Sequence, residues 1–399
     1  MFKNVKRIAY QVSDVEKARE WYVNVLEREP AFDSPIAAIF RIGENSLTLA
    51  KGSPDIPEDT GRISVYWEVE DVDHSFDQLV EMGATAKSPP DNVLNTRTAQ
   101  VVDPFGNVIG LTGPVQNAEF QNVENKPSET AHAVALCRSL ASHDIRFGTQ
   151  TSDLFSKLFL KEDIKPVLLE ESSRNALINR NISRPLYGFF IARSLFMDEV
   201  FIRALQAQIP QIVFLGAGYD TRALRFQREL GKTHIFELDV PSTQGRKLQI
   251  LQMNQISAPS QLQYVSVNFK TDSFLEQLQN QGFNSSLATL FIWEGVTYYL
   301  PQEVMDQTLD LIKHNSAPGS SIAFDYMTTK LESTNMNEPF LSWISPEKIP
   351  DYLQRFGFQL VDHLDEPEMV RRYLTLDNGT VAENTIPTIR LVYAELANT

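Results

Sequence analysis

The sequence predicts two domains of different class. Residues 1–114 read as α+β, built from paired βαβββ modules, and residues 131–399 as α/β, with a parallel sheet that ends in an antiparallel hairpin. Three observations carry this. A short pattern, Val12-Ser13-Asp14-Val15, recurs as Val69-Glu70-Asp71-Val72, each time between a strand-like run and a helical one. From Gln211 onward strand and helix signals alternate, which implies parallel strands with helices on both faces. The length, 399 residues, exceeds that of one typical domain.

In the first domain the strand-like runs are 8–12 and 63–69. Val15, Ala18, Tyr22 and Val25 recur at helical spacing after the first run, and Val72, Phe76, Leu79 and Val80 after the second. Ser13 or Asp14, and Asp71 in the copy, suit the N-cap, where a side-chain oxygen accepts a free backbone N–H. Shorter β-like stretches follow at 37–42 and 46–50, and again at 98–102 and 107–112. Asp103-Pro104-Phe105-Gly106-Asn107 has the composition of a hairpin turn.

A repeated βαβββ unit with this turn resembles the vicinal oxygen chelate superfamily of glyoxalases, bleomycin-resistance proteins and ring-cleaving dioxygenases. The resemblance implies His or Glu metal ligands on the first and last strand of each unit. The matching positions here are Arg7, Ser64, Thr48 and Gly110. Arginine stays protonated, glycine has no side chain and hydroxyls bind divalent cations weakly, so no metal is expected. His74 is expected to face solvent. What remains is a cleft for a small molecule or a dimerisation module. Tyr10, Tyr66 and Trp67 either line that cleft or pack into the core, and core packing is the ordinary role of each. Residues 115–130 are polar and carry Pro127, and they read as a linker.

The second domain opens with helical signals at 132–140, 152–160 and 186–205. The stretch on which the rest is organised is Gln211-Ile212-Val213-Phe214-Leu215-Gly216-Ala217-Gly218-Tyr219-Asp220-Thr221-Arg222. Its apolar run reads as a buried strand, and a helix is expected over 223–230, capped by Asp220 or Thr221. Gly216 and Gly218 allow a sharp turn and a close ligand approach. Taken alone, such a loop is either a bare turn or a nucleotide-type site. A second strand ending in Glu237-Leu238-Asp239 favours the site, because doubly wound folds place a ribose-binding acid roughly 20 residues beyond the loop. Pro241 then opens a helix over 241–252. Strands at 262–267, 287–293 and 320–324 alternate with helices at 272–281 and 302–313, and 359–363 with 388–395 would form the final hairpin.

Three blocks of this domain resemble those of the leucine carboxyl methyltransferase family, of the Rossmann-like class I methyltransferase fold. They are Leu215 to Arg222, Phe236-Glu237-Leu238-Asp239-Val240-Pro241, and Trp293-Glu294-Gly295-Val296-Thr297-Tyr298-Tyr299-Leu300. The resemblance implies S-adenosyl-L-methionine as cofactor. It implies that Gly216 and Gly218 approach the cofactor, that Asp239 accepts from the ribose diol and that Glu294 meets the methionine end. Asn268 and Phe269 match the adenine contacts, with an amide where the family has an acid. Arg193 matches the arginine that grips the cofactor carboxylate, a role favoured over that of an ordinary surface arginine, and Lys157 matches a preceding lysine or is an ordinary surface cation. Tyr298 and Tyr299 pack under the site or touch substrate. No catalytic residue is assigned; a carboxylate acceptor needs no base, whereas a hydroxyl acceptor does, with His132, His143 or Tyr299 as candidates.

A net charge of −15 argues against nucleic acid and anionic membranes as partners, because both need clustered Lys and Arg. No apolar run is long enough to span a bilayer, and none follows the N-terminal Lys3 to Arg7 segment as in a signal peptide. The single cysteine, Cys137, fits a reducing cytoplasm, and its apolar neighbours place it on a buried helix face. Arg371-Arg372-Tyr373 reads as a solvated face. The functional expectation is O-methylation of a carboxylate or hydroxyl on a small metabolite, with a homodimer possible through the first domain. The alternative is a small-molecule sequestration protein whose second domain is inactive.

Overall fold

The computed structural model describes residues 7–43, 45–51, 65–93, 96–113, 128–148, 151–162, 164–267, 273–330 and 340–397. They form two compact units.

The first unit holds β1 (Arg7–Val12), α1 (Val15–Leu26), β2 (Phe32–Ser34), β3 (Ala37–Ile42) and β4 (Asn45–Lys51), then β5 (Val65–Glu68), α2 (Val72–Glu81), β6 (Thr85–Val93), β7 (Thr96–Val102) and β8 (Val108–Gly113). Two four-stranded sheets result, ordered β1-β4-β3-β2 and β5-β8-β7-β6. The repeat is therefore real. Asp14 caps α1 and Asp71 caps α2, each accepting the N–H three residues on. Tyr10, Tyr22, Phe40, Leu47, Leu49, Phe76 and Leu111 share one core. The Tyr22 hydroxyl donates to Asp103 at 2.8 Å, and the Asp103 carboxylate also accepts the N–H groups of Phe105 and Asn107, which closes the predicted turn.

Two strands that the βαβββ pattern calls for, β2 and β6, had no residues assigned to them. β6 contains Pro89-Pro90, and it lies at a sheet edge with register shifts on either side of Ser88, where a missing N–H disturbs no inner ladder. Of the positions compared with a metal site, Thr48 is buried in β4 and Gly110 lies in β8. A Cβ at Gly110 would stand 2.7 Å from the Tyr66 ring, so that ring fills the place a side chain there would need. Ser64 lies outside the described residues. His74 is exposed, as expected. Tyr10 is core, but Tyr66 is not: it stands 47% exposed and accepts from Gln100 at 2.7 Å.

The second unit begins with α3 (Glu129–Ser142), two residues inside the stretch read as linker, followed by α4 (Glu171–Leu177) and α5 (Arg184–Gln206). Then come β9 (Gln211–Leu215), α6 (Arg222–Arg225), β10 (His234–Asp239), α7 (Pro241–Met253), β11 (Leu262–Ser266), α8 (Phe274–Asn280), β12 (Thr289–Trp293), α9 (Gln302–His314), β13 (Ser321–Met327), α10 (Ile349–Arg355), β14 (Phe358–Leu364), α11 (Glu366–Met369) and β15 (Ile389–Leu396). The sheet order is β11-β10-β9-β12-β13-β15-β14, with β9 to β13 parallel and β15 antiparallel to both neighbours. Ile212 and Phe214 pack with Phe201 of α5 on one face, and Val213 and Leu215 with Met305 and Leu309 of α9 on the other. Burial on both faces explains the unbroken apolar runs.

Two predicted helices are shortened. At 152–160 there is only a 3₁₀ turn, Ser156–Phe159, which follows Asp153, whose carboxylate accepts the N–H groups of Phe155 and Ser156 as an N-cap does. The helix expected at 223–230 is the single turn α6, after which the chain turns at Gly231 toward β10. Cys137 is buried, and burial pushes its thiol up to about 12. Arg371 and Arg372 lie on the surface, paired with Glu368 and Asp362. No described helix is long and apolar enough to cross a membrane.

Candidate cofactor site

After β9 the chain lays down β10 and β11 on one side, then returns to place β12 on the other. Loops leaving β9 and β12 therefore diverge, and the crevice between their carboxyl ends is where open α/β sheets bind ligands. The predicted residues converge there. Gly216 and Gly218 follow β9, Asp239 ends β10 and Glu294 follows β12.

The glycine loop is held by β10. The N–H groups of Gly216 and Ala217 donate to the Leu238 carbonyl at 3.0 and 2.8 Å. Gly216 has φ +75° and Gly218 φ +52°, values that side chains rarely adopt. A Cβ at Gly216 would also meet Val296 at 2.7 Å. Asp239, 9% exposed, accepts the N–H of Val240 at 2.7 Å and that of Gly218. One carboxylate thus fixes the loop on one strand to the end of the next.

A buried ion network adjoins this loop. Arg193 of α5 is 1% exposed; its Nε donates to Glu294 at 3.1 Å and its Nη1 to Asp325 at 2.9 Å and to the Tyr298 hydroxyl at 3.1 Å. Its Nη2 has no partner among the described residues. Asp325, in β13, also accepts the N–H of Gly295 at 2.6 Å. Arg222 donates to Glu294, Asp198 and Asp220, and Arg225 to Asp198. Burial opposes the charge on Arg193, but Asp325, Tyr298 and Glu294 hold it protonated well above its usual range. Burial pushes Asp325 up, against Arg193 and the Gly295 N–H. Burial acts the same way on Asp198 and Asp220, but the guanidiniums around them win and hold both below the usual carboxylate range. Three guanidiniums, of Arg193, Arg222 and Arg225, face four carboxylates, of Asp198, Asp220, Glu294 and Asp325. Fully ionised, this group carries one excess negative charge and suits a ligand of net positive charge.

The structure does not bring every candidate here. Lys157 is exposed on the Ser156–Phe159 turn, with no bond to the network. Asn268 and Phe269 lie outside the described residues. Tyr298 packs under the site, its ring against Tyr299 and Phe340. His143 faces the Ser139 carbonyl at 2.8 Å through Nδ1, within its own helix. A cavity of about 20 Å³, room for roughly one water, borders the network at Asp198 and Arg225, with Arg138 and Asp153 also in its wall. Sequence reasoning missed Asp198, Arg222, Arg225 and Asp325. Asp325 carried a usable signal, since it sits late in an apolar strand as Asp239 does.

Residues 131–313 match the leucine carboxyl methyltransferase family, and residues 4–111 match the glyoxalase/bleomycin resistance protein/dioxygenase superfamily. A Mycobacteroides abscessus protein, provisionally named an S-adenosyl-L-methionine-dependent methyltransferase, is 30% identical over 212 residues, covering 52% of this chain and 68% of that one. The chain belongs to the S-adenosyl-L-methionine-dependent methyltransferases. A Mycobacterium bovis relative with the same provisional name is 32% identical over 151 residues, 38% of this methyltransferase and 48% of its own length, so the chain spans about half of that relative. A solved structure from Thermobifida fusca, provisionally named a methyltransferase, is 14% identical with a TM-score of 0.44, covering 71% of this chain and all (100%) of that one.

S-adenosyl-L-methionine is the methyltransferase's cofactor. Its sulfonium, ammonium and carboxylate sum to one positive charge, which matches the excess negative charge of the network. Nη2 of Arg193, without a partner among the described residues, leaves donors for a carboxylate, a pairing that the planar guanidinium fork serves well. The residues present fit the group.

Proposed function

We propose that the chain methylates an oxygen of a small metabolite, a carboxylate ahead of a hydroxyl. The observation that carries this reading is the negatively charged network at the switch point, joined to the glycine loop. Glu294 takes the cofactor ammonium and Arg193 its carboxylate. Asp239 accepts from the ribose diol, while Gly216 and Gly218 let the backbone come close. Asn268 and Phe269 serve the adenine. When bound, the cofactor supplies an electrophilic methyl group on its sulfonium.

The remaining work is positioning and exclusion of water, which converts a bimolecular displacement into an oriented one. A carboxylate acceptor is ionised at neutral pH and needs no base. Burial and the neighbouring Asp325 push the Tyr298 phenol well above its usual range, so it is no base near neutrality, and a hydroxyl acceptor would depend on His132, His143 or Tyr299. His143 meets the Ser139 carbonyl through Nδ1, which leaves Nε2 as its remaining ring nitrogen. The first unit binds the metabolite or dimerises the enzyme, and the exposed Tyr66 ring favours binding.

Cell extract incubated with the enzyme and methyl-labelled cofactor tests this by mass spectrometry. Label in a small molecule that mild alkali releases is the expected result, because alkali cleaves methyl esters and spares methyl ethers. Label on nitrogen or carbon would contradict the reading.

A further inference from the structure

We propose that Arg222 is the positioning residue of the cofactor site, orienting Glu294 without itself touching the cofactor. The proposal rests on the reading that Glu294 meets the methionine end. Arg222 is 0% exposed, and its donors reach three separate elements. Nη1 serves Glu294 Oε2 at 2.8 Å and also Asp220 in the glycine loop. Nε donates to Asp198 of α5 at 2.7 Å, and Nη2 to the Ser194 carbonyl at 3.3 Å.

Glu294 Oε1 is held separately by Arg193 Nε at 3.1 Å. Two guanidiniums on different helices therefore hold one carboxylate, an oxygen each. The grip leaves further lone pairs free for an incoming ammonium. Asp198 is occupied by Arg225 as well, at 2.6 and 2.7 Å, which anchors the far end of Arg222 to α5. Only a planar fork spans these acceptors; a lysine ammonium keeps the charge but donates from a single point.

Calorimetric titration of the full chain with two probes tests the proposal. S-adenosylhomocysteine carries the amino-acid tail, and methylthioadenosine lacks it. Arg222→Lys should weaken S-adenosylhomocysteine by about tenfold or more, the size of one charge-assisted hydrogen bond. Methylthioadenosine should be nearly unaffected. Glu294→Gln should show the same selectivity, and the double variant should add little beyond either single change. Equal weakening of both probes by Arg222→Lys, or none, overturns the proposal while Glu294→Gln remains selective. A non-selective Glu294→Gln instead overturns the reading of Glu294 on which the proposal rests. Should Arg222→Lys lose its native melting transition, Asp198→Asn, which keeps an acceptor for Nε but removes the charge that strengthens the bond, is judged by the same selectivity.

Discussion

Asp325→Ala is expected to lower the stability of the second unit by about 3–5 kcal/mol, the cost of removing one partner from a buried pair. Asp325 is fully buried and serves Arg193 at 2.9 Å, the Gly295 N–H at 2.6 Å and the Tyr298 hydroxyl at 3.3 Å. Its loss would leave the buried Arg193 cation with Glu294 as its sole carboxylate. The Gly295 N–H and the Tyr298 hydroxyl would each lose an acceptor. Urea unfolding followed by tryptophan fluorescence measures the change. Asp325→Asn, which keeps an acceptor for Gly295, should cost less than alanine. A loss below about 1 kcal/mol for alanine would mean that the network rearranges freely, which a close-packed interior resists.

The second large effect concerns affinity. Asp239→Ala should raise the Kd for S-adenosylmethionine by about 100-fold, or roughly 2.7 kcal/mol. Hydrogen bonds to a charged group contribute about 1.5–3 kcal/mol each. Asp239 is read as serving the ribose diol, and it visibly holds the Gly218 N–H. The substitution would therefore remove a ligand contact and loosen the loop together. Isothermal titration gives the value directly. An unchanged Kd would remove Asp239 from the site.

Much of this was legible in the sequence. The strands of the second unit are continuous apolar runs because both faces are buried, and the Gly216–Gly218 turn with an acid after the next strand marked the switch point. The Asp14 and Asp71 caps announced the repeat of the first unit. The ion network was not legible as a network, because Asp198, Arg222, Glu294 and Asp325 come from separate elements that only the fold brings together. Pro89 and Pro90 hid β6, since a proline pair argues against a strand until its edge position is known. The 152–160 stretch had helical spacing but makes only the 3₁₀ turn Ser156–Phe159, a difference in turn type that periodicity over so short a run does not register. Tyr66 was expected in the core; its exposed ring lies instead over Gly110.

The claim beneath all of this is that a crevice with one excess negative charge, at the carboxyl ends of β9, β10 and β12, holds S-adenosylmethionine. Calorimetric titration of the full chain with that nucleoside, beside Asp239→Ala and Glu294→Gln, tests it most directly. The account predicts one site per chain, with affinity that falls steeply in both variants while their melting transitions persist. Full-strength binding by both folded variants, or none by the unaltered chain, would contradict it.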